Sequence, residues 1–187
     1  MKVITLLGSA KKKGNTGTVL GWIEEELSVM GHEVERIPLA RKNIRGCLGC
    51  GKCKDFPDEI GCVQKDDAPE IFEKMIQAQL TLFASPVYFW GFSAHMKAII
   101  DRGYGLVCNY HKPDHISLLE GQHQALLVTG ADAYENNAEP LFTAFDRITE
   151  FYKAKKTGDL YITGTTPDQM SSDIREKAIS FARQIAK

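Results

Sequence analysis

The stretch VITLLGSAKKKGNTGTVL, residues 3–20, decides the fold. It opens with the apolar run 3–7, continues through a loop at residues 8–17, and then places its apolar residues at helical spacing. Apolar runs of four to eight residues are typical of buried strands, and the 3.6-residue period is typical of helices. The stretch therefore predicts a strand, a polar loop and a helix in that order.

The loop has the composition of a phosphate-binding site. It is rich in small and hydroxyl residues, contains no carboxylate, and carries Lys11, Lys12 and Lys13. Free N–H groups at the start of a helix point at a bound anion, and the helix dipole favours negative charge there. Gly14 lets the main chain approach such a ligand closely.

The spacing of the loop excludes two common nucleotide motifs. Five residues separate Gly8 from Gly14, so neither a Walker A loop nor a Gly-x-Gly-x-x-Gly fingerprint is present. A single terminal phosphate, as in a mononucleotide, fits this hydroxyl-rich loop better than a pyrophosphate. The side chains predicted to bind it are Ser9, Asn15, Thr16 and Thr18. The alternative is an ordinary helix cap at Asn15 or Thr16 with solvated lysines.

Length and charge narrow the class of protein. A chain of 187 residues suits one α/β domain, which we assign to residues 1–187. A net charge of −1 without a basic stripe gives no reason to expect nucleic acid as a partner. The longest apolar stretch, residues 80–92, is too short for a membrane span and is broken by Pro86 and Gly91. Without a recognisable leader at Met1, we expect a cytoplasmic protein.

Strand and helix patterns alternate along the chain. The predicted strands are residues 3–7, 32–38, 80–84, 125–129 and 160–163. The predicted helices are residues 16–30, 67–77, 93–102, 139–152 and 167–186. Asp67 and Glu70 resemble a capping box for the second helix, and Asp66 and Asp67 are interpreted as turn and cap residues. Five strands alternating with five helices predict a parallel sheet covered on both faces.

Three loops are expected to converge where the strands end. In such sheets the ligand lies outside the carboxyl ends of the strands, which here lead into residues 8–18, 85–92 and 129–134. The first loop is polar, whereas the second, SPVYFWGF, is apolar and aromatic. A ligand with a phosphate at one end and a flat ring system at the other satisfies both loops, which describes FMN. The alternative for Tyr88, Phe89 and Trp90 is core or interface packing.

Two motifs in this order resemble a known family. GSAKKKGNT after the first strand and SPVYFWGFSAHMKAIIDR after the third are similar to the NAD(P)H-dependent FMN reductase family of flavodoxin-like proteins, over essentially the whole chain. The resemblance implies a flavodoxin-like three-layer fold with a five-stranded parallel sheet in the order 2-1-3-4-5. It also implies noncovalent FMN, reduction by NAD(P)H, and a homodimer or homotetramer.

The resemblance also assigns FMN-binding positions. The residues that would hold the phosphate and ribityl chain are Ser9, Lys11, Asn15, Thr16 and Thr18. The residues that would line the isoalloxazine are Pro86, Val87, Tyr88, Phe89 and Trp90, and those that would close its pyrimidine side are Thr129 and Gly130. No residue is assigned as a catalytic acid or base.

A cysteine-rich loop at residues 46–62 indicates metal or redox chemistry. The run CLGCGKC places Cys47, Cys50 and Cys53 at two-residue intervals, and Cys62 follows. Iron–sulfur clusters use this spacing with a fourth thiolate from farther along the chain. Zinc sites more often contain two separated Cys-x-x-Cys pairs. A cluster, a redox-active thiol loop and zinc remain open alternatives on the spacing alone.

The cysteine run also resembles the iron–sulfur flavoproteins, a branch of the same family in which it binds a 4Fe-4S cluster. By that resemblance the metal ligands would be Cys47, Cys50, Cys53 and Cys62. The chain departs from the branch in one respect, because eight residues, including Pro57, separate Cys53 from Cys62.

The connection at residues 103–121 is the remaining candidate for a functional segment. It carries Tyr104, Tyr110, His111 and His115, and loops of this length are often functional. It is interpreted as a substrate-side lid or an oligomer contact, and its Cys108 as a structural thiol.

Together with these patterns, the resemblance implies an FMN-dependent oxidoreductase. It would take hydride from NAD(P)H and pass electrons to a small acceptor, such as a quinone or a flavin. If a 4Fe-4S cluster is present, a redox protein becomes the partner. The alternative is a flavin- or metal-binding redox sensor or electron carrier without substrate turnover.

Overall fold

The computed structural model describes residues 1–11, 13–56, 59–110, 112–164 and 170–187. The strands are β1 (Lys2–Leu7), β2 (Glu33–Pro38), β3 (Leu80–Tyr88), β4 (Gly91–Phe92), β5 (Val107–Cys108), β6 (Ile116–Ser117), β7 (His123–Gly130) and β8 (Lys155–Thr163). The α-helices are α1 (Asn15–Val29), α2 (Ala68–Gln77), α3 (Ala94–Arg102), α4 (Glu139–Phe151) and α5 (Ser172–Ile185).

Five parallel strands form the main sheet of the described residues. Their spatial order is β2-β1-β3-β7-β8, which confirms the predicted order 2-1-3-4-5 for the five principal strands. The short strand β4 pairs antiparallel with the end of β3, and β5 and β6 form a separate hairpin. The carboxyl ends of β1, β3 and β7 consequently lie side by side.

Both faces of the sheet are covered, as the apolar strands predict. Along β1, Val3 and Leu7 face one core with α1 and α5, whereas Ile4 and Leu6 face a second core with α2, α3 and α4. A strand buried on both faces must be apolar at successive positions rather than at alternate ones. The three-layer arrangement of the prediction is therefore confirmed.

The third strand is longer than predicted. The loop expected from residue 85 onward is strand as far as Tyr88, and then turns back through Phe89 and Trp90 into β4. Pro86 indicated a loop because proline lacks a ladder donor. The pairing of β3 with β1 stops at Ala84. At Pro86, therefore, β3 does not need a backbone N–H group to bond β1.

The predicted capping box of α2 is wrong. Asp67 is the N-cap residue, but its side chain makes no capping hydrogen bond and instead accepts one from the Asn43 N–H at 2.8 Å. Asp66, not Asp67, accepts a hydrogen bond from the Ala68 N–H, at 3.2 Å. The neighbouring chain segment thus competes successfully for the Asp67 carboxylate.

Two helix starts also differ from the sequence pattern. Helix α1 begins after Gly14, whose lack of a side chain leaves no side-chain cap, so neither Asn15 nor Thr16 is its N-cap. Helix α5 begins at Ser172, and Ser171 accepts a hydrogen bond from Ile174 N–H at 3.4 Å. The predicted start of α5 at residue 167 lies outside the described residues.

Across the described ranges, none of the helices is long and apolar enough to cross a membrane.

The packing of Phe145 on Phe83 gives a direct test of the second core. Their ring centroids are 5.4 Å apart with an interplanar angle of 65°, and Phe145 is fully buried. We expect Phe145→Ala to lower the free energy of unfolding by about 3–5 kcal/mol, because it removes contacts and leaves a cavity. Urea unfolding measures the change. Val29→Ala, on an exposed face of α1, is the control, and equal losses for both variants would contradict this packing.

Candidate functional site

A cavity of about 320 Å³ lies at the carboxyl ends of β1, β3 and β7. Three chain segments meet there: the loop before α1, the end of β3 and the end of β7. The lining residues are Ser9, Lys11, Gly14, Asn15, Thr16, Pro86, Val87, Tyr88, Thr129, Gly130 and Ala131. The cavity occupies the position that the parallel topology predicts for a ligand.

A buried hydroxyl pair joins two of these segments. The Oγ1 atoms of Thr16 and Thr129 are 2.7 Å apart, and both residues are buried. Thr16 lies in the first turn of α1, whereas Thr129 lies near the end of β7. The hydrogen bond therefore fixes the helix start relative to the strand that forms the far wall of the cavity.

Ser93 joins the loop after β1 to β3, a role that was not among the sequence-based predictions. Its hydroxyl donates to the Gly8 carbonyl at 2.8 Å, and the same oxygen accepts from the Met96 N–H at 3.3 Å, which makes Ser93 the N-cap of α3. Its own N–H donates to Ser85 Oγ at 3.1 Å. A serine before a helical pattern signals the cap, but no local pattern indicates the bond to Gly8.

Gly8 must be glycine for this junction to close. A Cβ atom at Gly8 would lie 2.7 Å from Ser93 Oγ and 3.0 Å from Met96 Cβ. Because real Cβ contacts are longer, any side chain would push α3 away from the loop. The close approach brings the start of α3 against the candidate phosphate loop.

The cavity gathers nine of the twelve predicted FMN-binding residues. Those outside its lining are Thr18, Phe89 and Trp90. Phe89 is 93% exposed and Trp90 is 56% exposed, and both have positive φ, 47° and 60°, at the turn between β3 and β4. Gly14 and Ala131, which belong to two of the predicted loops but not to the twelve assigned residues, also line the cavity. The binding roles of all twelve residues stay predictions.

The donors around the cavity fit a phosphorylated ring system. One end carries the Ser9 and Thr16 hydroxyls, the Lys11 ammonium and the start of α1, which has no acidic residue in its first turn. Helix N–H groups without intrahelical partners bind anions. Pro86, Val87 and Tyr88, at the end of β3, line another part of the cavity. FMN has a phosphate for the first part and a flat ring for the second.

The four predicted metal-ligand cysteines line a second cavity, of about 240 Å³. They are Cys47, Cys50, Cys53 and Cys62. Gly49 and Gly51 have φ angles of +63° and +69°, a conformation that glycine adopts without strain. Gly49 N–H donates to Cys47 Sγ at 3.4 Å, so this turn directs main-chain donors at a sulfur.

The sulfurs are not gathered into a coordination shell. No group of three or more histidine, cysteine, aspartate or glutamate side chains in the described ranges is positioned to hold a metal ion. Burial raises the pKa of the Cys53 thiol, and the charge of Lys54 opposes this rise. The donor set suits a four-thiolate centre, and coordination would require the sulfurs to move closer together. The metal site stays a prediction.

Asp66 bonds the first N–H of α2, as expected of a residue at a helix start, but it also has a partner that the sequence did not indicate. Its carboxylate pairs with Arg102 through two hydrogen bonds, at 2.7 and 3.0 Å, and both side chains are fully buried. It also accepts from the N–H groups of Arg45, at 3.0 Å, and Ala68. Burial alone would raise its pKa, but the hydrogen bonds from Arg102, Arg45 and Ala68 outweigh burial and lower the pKa to about 2.

Arg102 connects this ion pair to the cysteine cavity. Its Nε–H donates to Cys62 Sγ at 3.2 Å, and Nη1 donates to the Arg45 carbonyl at 3.0 Å. The sequence gives no signal for this role of Arg102, because a basic residue in the last turn of a helix is commonly solvated and interacts with the helix dipole. Here the residue is only 2% exposed.

The segment at residues 103–121 packs against the cysteine loop. Lys54 Nζ donates to the Tyr104 carbonyl at 2.5 Å and to the Val107 carbonyl, and lies 3.6 Å from the Tyr104 ring centroid. Cys108 is buried. His111 lies outside the described residues, and the proposed lid or oligomer contact stays a prediction.

The Asp66–Arg102 pair predicts a specific pH dependence of stability. Because the pKa of Asp66 is lower in the folded chain than its ordinary value of 3.8, its stabilisation is complete above about pH 4 and is lost as the pH falls toward 2. We expect Asp66→Asn to cost about 3–5 kcal/mol at neutral pH, since it leaves Arg102 buried without a counter-charge.

Urea unfolding of wild type and Asp66→Asn between pH 7 and pH 2.5 measures this dependence. The difference between the two proteins should shrink at the acid end. Asp101→Asn, at a half-exposed ion pair on α3, serves as the control. A stability difference that stays constant down to pH 2.5 would contradict the lowered pKa of Asp66.

Comparison with known proteins agrees with this geometry. A family model described as NADPH-dependent FMN reductase matches residues 1–149. An iron-sulfur flavoprotein of Archaeoglobus fulgidus is 30% identical over 100% of this chain and 80% of its own length. An iron-sulfur flavoprotein of Methanocaldococcus jannaschii is 40% identical over 54% of this chain and 51% of its own length, so the match spans about half of that relative.

A solved structure shows the same fold. An FMN-dependent NADH-azoreductase from Bacillus anthracis, in complex with FMN, superposes with a TM-score of 0.70 at 11% identity, covering 100% of this chain and 99% of that one. At this identity the likeness shows the fold alone, which is flavodoxin-like. The family match covers most of the sequence, including all eleven residues that line the first cavity. The chain belongs to the NADPH-dependent FMN reductase family.

Proposed function

We propose that this chain is an FMN-dependent oxidoreductase that takes hydride from NAD(P)H and passes electrons through a 4Fe-4S cluster to a redox protein or a small acceptor. The observation that carries the proposal is the single cavity lined by all four cysteines of the loop. The names of the two iron-sulfur flavoproteins among its relatives support it. The proposed cluster ligands are Cys47, Cys50, Cys53 and Cys62.

In the first cavity the chain supplies binding and orientation. Bound FMN would supply the hydride chemistry, exchanging two electrons with a nicotinamide or a small acceptor. Ser9, Lys11 and Thr16 would hold the phosphate end, and Tyr88 would flank the ring. None of the described residues lining the cavity is a carboxylate or a histidine, and Lys11 and Tyr88 are the titratable side chains in that lining.

In the second cavity the chain supplies four thiols and few other ligands. The polar side chains that line it besides the cysteines are those of Gln64, Arg102 and Tyr104. Four thiolates suit either a cubane cluster or a zinc ion. The three closely spaced cysteines and the later fourth favour the cluster, because structural zinc sites more often pair their cysteines.

The surface supports a self-associating protein. The Phe89–Trp90 turn is exposed and adjoins Tyr88 at the first cavity. Exposed aromatic groups of this kind are common at protein interfaces. We propose a homodimer or homotetramer, and the cytoplasmic location stays a prediction.

The cluster is tested by a visible spectrum together with iron, sulfide and zinc analysis of protein purified without oxygen. We expect one flavin and about four irons per chain, the content of a single cubane cluster. Cys62→Ser should lose iron and keep flavin, whereas Cys108→Ala, a buried cysteine outside the cavity, should keep both.

Other flavin, iron and zinc contents of the purified protein would favour one of the alternatives. Flavin without iron would leave an NAD(P)H-dependent reductase with a redox-active thiol loop, and stoichiometric zinc would indicate a structural site. Absence of flavin would contradict the first cavity as an FMN site. A flavin that neither NADH nor NADPH reduces would favour a redox sensor over an enzyme.

The hydroxyl pair at the first cavity predicts the effect of a conservative substitution. Thr16→Val keeps the side-chain shape but removes a hydroxyl that bonds Thr129 and faces the cavity, so we expect FMN to bind about 10-fold more weakly. Quenching of FMN fluorescence by the flavin-free protein measures the dissociation constant.

Two further variants make this titration interpretable. Thr149→Val removes a buried hydroxyl from α4 that bonds Phe145 O, away from the cavity, and should leave FMN affinity unchanged. Thr18→Val tests the predicted contact between Thr18 and FMN, because Thr18 is not among the residues that line the cavity. Equal affinity of wild type and Thr16→Val would argue against Thr16 as an FMN-binding residue.

A further inference from the structure

We infer that Arg102 is a positioning residue, which holds the Cys62 sulfur in the cysteine cavity by donating its Nε–H to that sulfur. The inference rests on the proposed function, because it concerns how the fourth thiolate reaches a metal centre. Arg102 belongs to α3 and lies 40 residues from Cys62 along the chain. It is therefore no part of the cysteine motif.

The guanidinium has little freedom to point elsewhere. Nη1 binds Asp66 Oδ2 and the Arg45 carbonyl, Nη2 binds Asp66 Oδ1, and Nε binds Cys62 Sγ. Four of its five N–H groups thus have partners in one plane. The Asp66 carboxylate fixes the orientation of the guanidinium plane, so the direction of the Nε–H bond is set before any metal binds.

The carboxylate also makes the arrangement electrically possible. A buried guanidinium without a counter-charge is strongly destabilising. Asp66 balances the charge of Arg102 and is itself saturated by hydrogen bonds from Arg45 and Ala68. What remains at the cavity is a fixed donor beside a sulfur, which suits a thiolate better than a neutral thiol.

Cys62 needs such a support more than the other cysteines do. Cys47, Cys50 and Cys53 share one tight run, whereas Cys62 follows eight further residues. The chain after Cys62 is tied to the start of the loop, because Gln64 Nε2 donates to the Gly46 carbonyl at 3.0 Å and Asp66 accepts from Arg45. These bonds hold Cys62 from its carboxyl side, and on its amino side Gly61 packs so closely on Cys53 that a Cβ atom at Gly61 would lie 2.4 Å from the Cys53 carbonyl oxygen.

The first test titrates cobalt(II) chloride into metal-free, reduced protein. Thiolate-to-cobalt absorption reports binding at the four cysteines without any need for iron or sulfide. Arg102→Lys keeps the charge opposite Asp66 but loses the planar Nε donor. We expect it to bind cobalt about 10- to 100-fold more weakly, the usual cost of losing a group that orients a metal ligand.

The matched control is Arg45→Gln. The Arg45 side chain is exposed and lies 3.8 Å from the same Asp66 carboxylate, but it makes no contact with a cysteine sulfur in the described structure. Its main-chain bonds to Asp66 and Arg102 are kept in the variant. We expect wild-type cobalt affinity, and a loss equal to that of Arg102→Lys would overturn the inference in favour of a general charge effect.

The second test measures the reduction potential of the reconstituted cluster. Hydrogen bonds to cluster sulfurs favour the more negatively charged reduced state. Arg102→Lys should therefore shift the potential to more negative values, and Arg45→Gln should not. An unchanged potential together with unchanged cobalt affinity in Arg102→Lys would overturn the inference.

A third measurement uses the unaltered chain, so it does not depend on a variant that folds. Protein with labelled arginine is loaded with cadmium-113, and the Arg102 Nε–H is examined for coupling to the metal through the Cys62 sulfur. Coupling is expected, and its absence in a cadmium-loaded sample would overturn the inference. If Arg102→Lys binds cobalt more weakly than wild type does, but wild type assembles no cluster, the proposed function fails while this inference stands.

Discussion

The register of the central strand β3 is the constraint on which the first cavity depends. Ala84 pairs with Leu7 at the end of β1, whereas Pro86 pairs with Thr129 near the end of β7. The central strand β3 therefore extends beyond the end of β1 and forms an apolar wall beside the polar loop that follows Leu7. The parallel pairing register thus sets how far the predicted phosphate-binding loop and the predicted ring-binding segment are offset along the strand direction, independently of their side chains.

Helix α3 connects the two cavities mechanically. Its N-cap, Ser93, is bonded to the Gly8 carbonyl beside the first cavity, and its last residue, Arg102, is bonded to Cys62 in the second. Nine helical residues span roughly 14 Å, so the helix also fixes the distance between these two attachments. One helix thereby positions a backbone carbonyl of the candidate phosphate loop and a thiol of the cysteine loop.

Local patterns predicted the parts of the structure that depend on local chemistry. Apolar runs located four of the five principal strands and an alternating pattern located β2, and the loop after β1 supplied part of the wall of the first cavity. Patterns could not reveal contacts between distant residues. Thr16 and Thr129 are 113 positions apart, and Asp66 and Arg102 are 36 apart. A carboxylate before a helix and an arginine at a helix end each have an ordinary local explanation, so neither sequence position indicates their buried pairing.

The same limit explains the aromatic turn. Three consecutive aromatic residues after a buried strand indicated a continuous wall, but β3 turns sharply at this point. Only Tyr88 lines the cavity, and the positive φ angles of Phe89 and Trp90 direct the chain back into β4. Which of the three faces the ligand depends on the backbone path, and composition carries no information about that path.

The double attachment of α3 has a consequence for how sequences of this kind can vary. Successive residues of an α-helix are rotated by about 100° around its axis, so one inserted residue would carry Arg102 away from both Asp66 and Cys62. The ten-residue span from Ser93 to Arg102 should therefore keep its length in any chain that keeps both contacts.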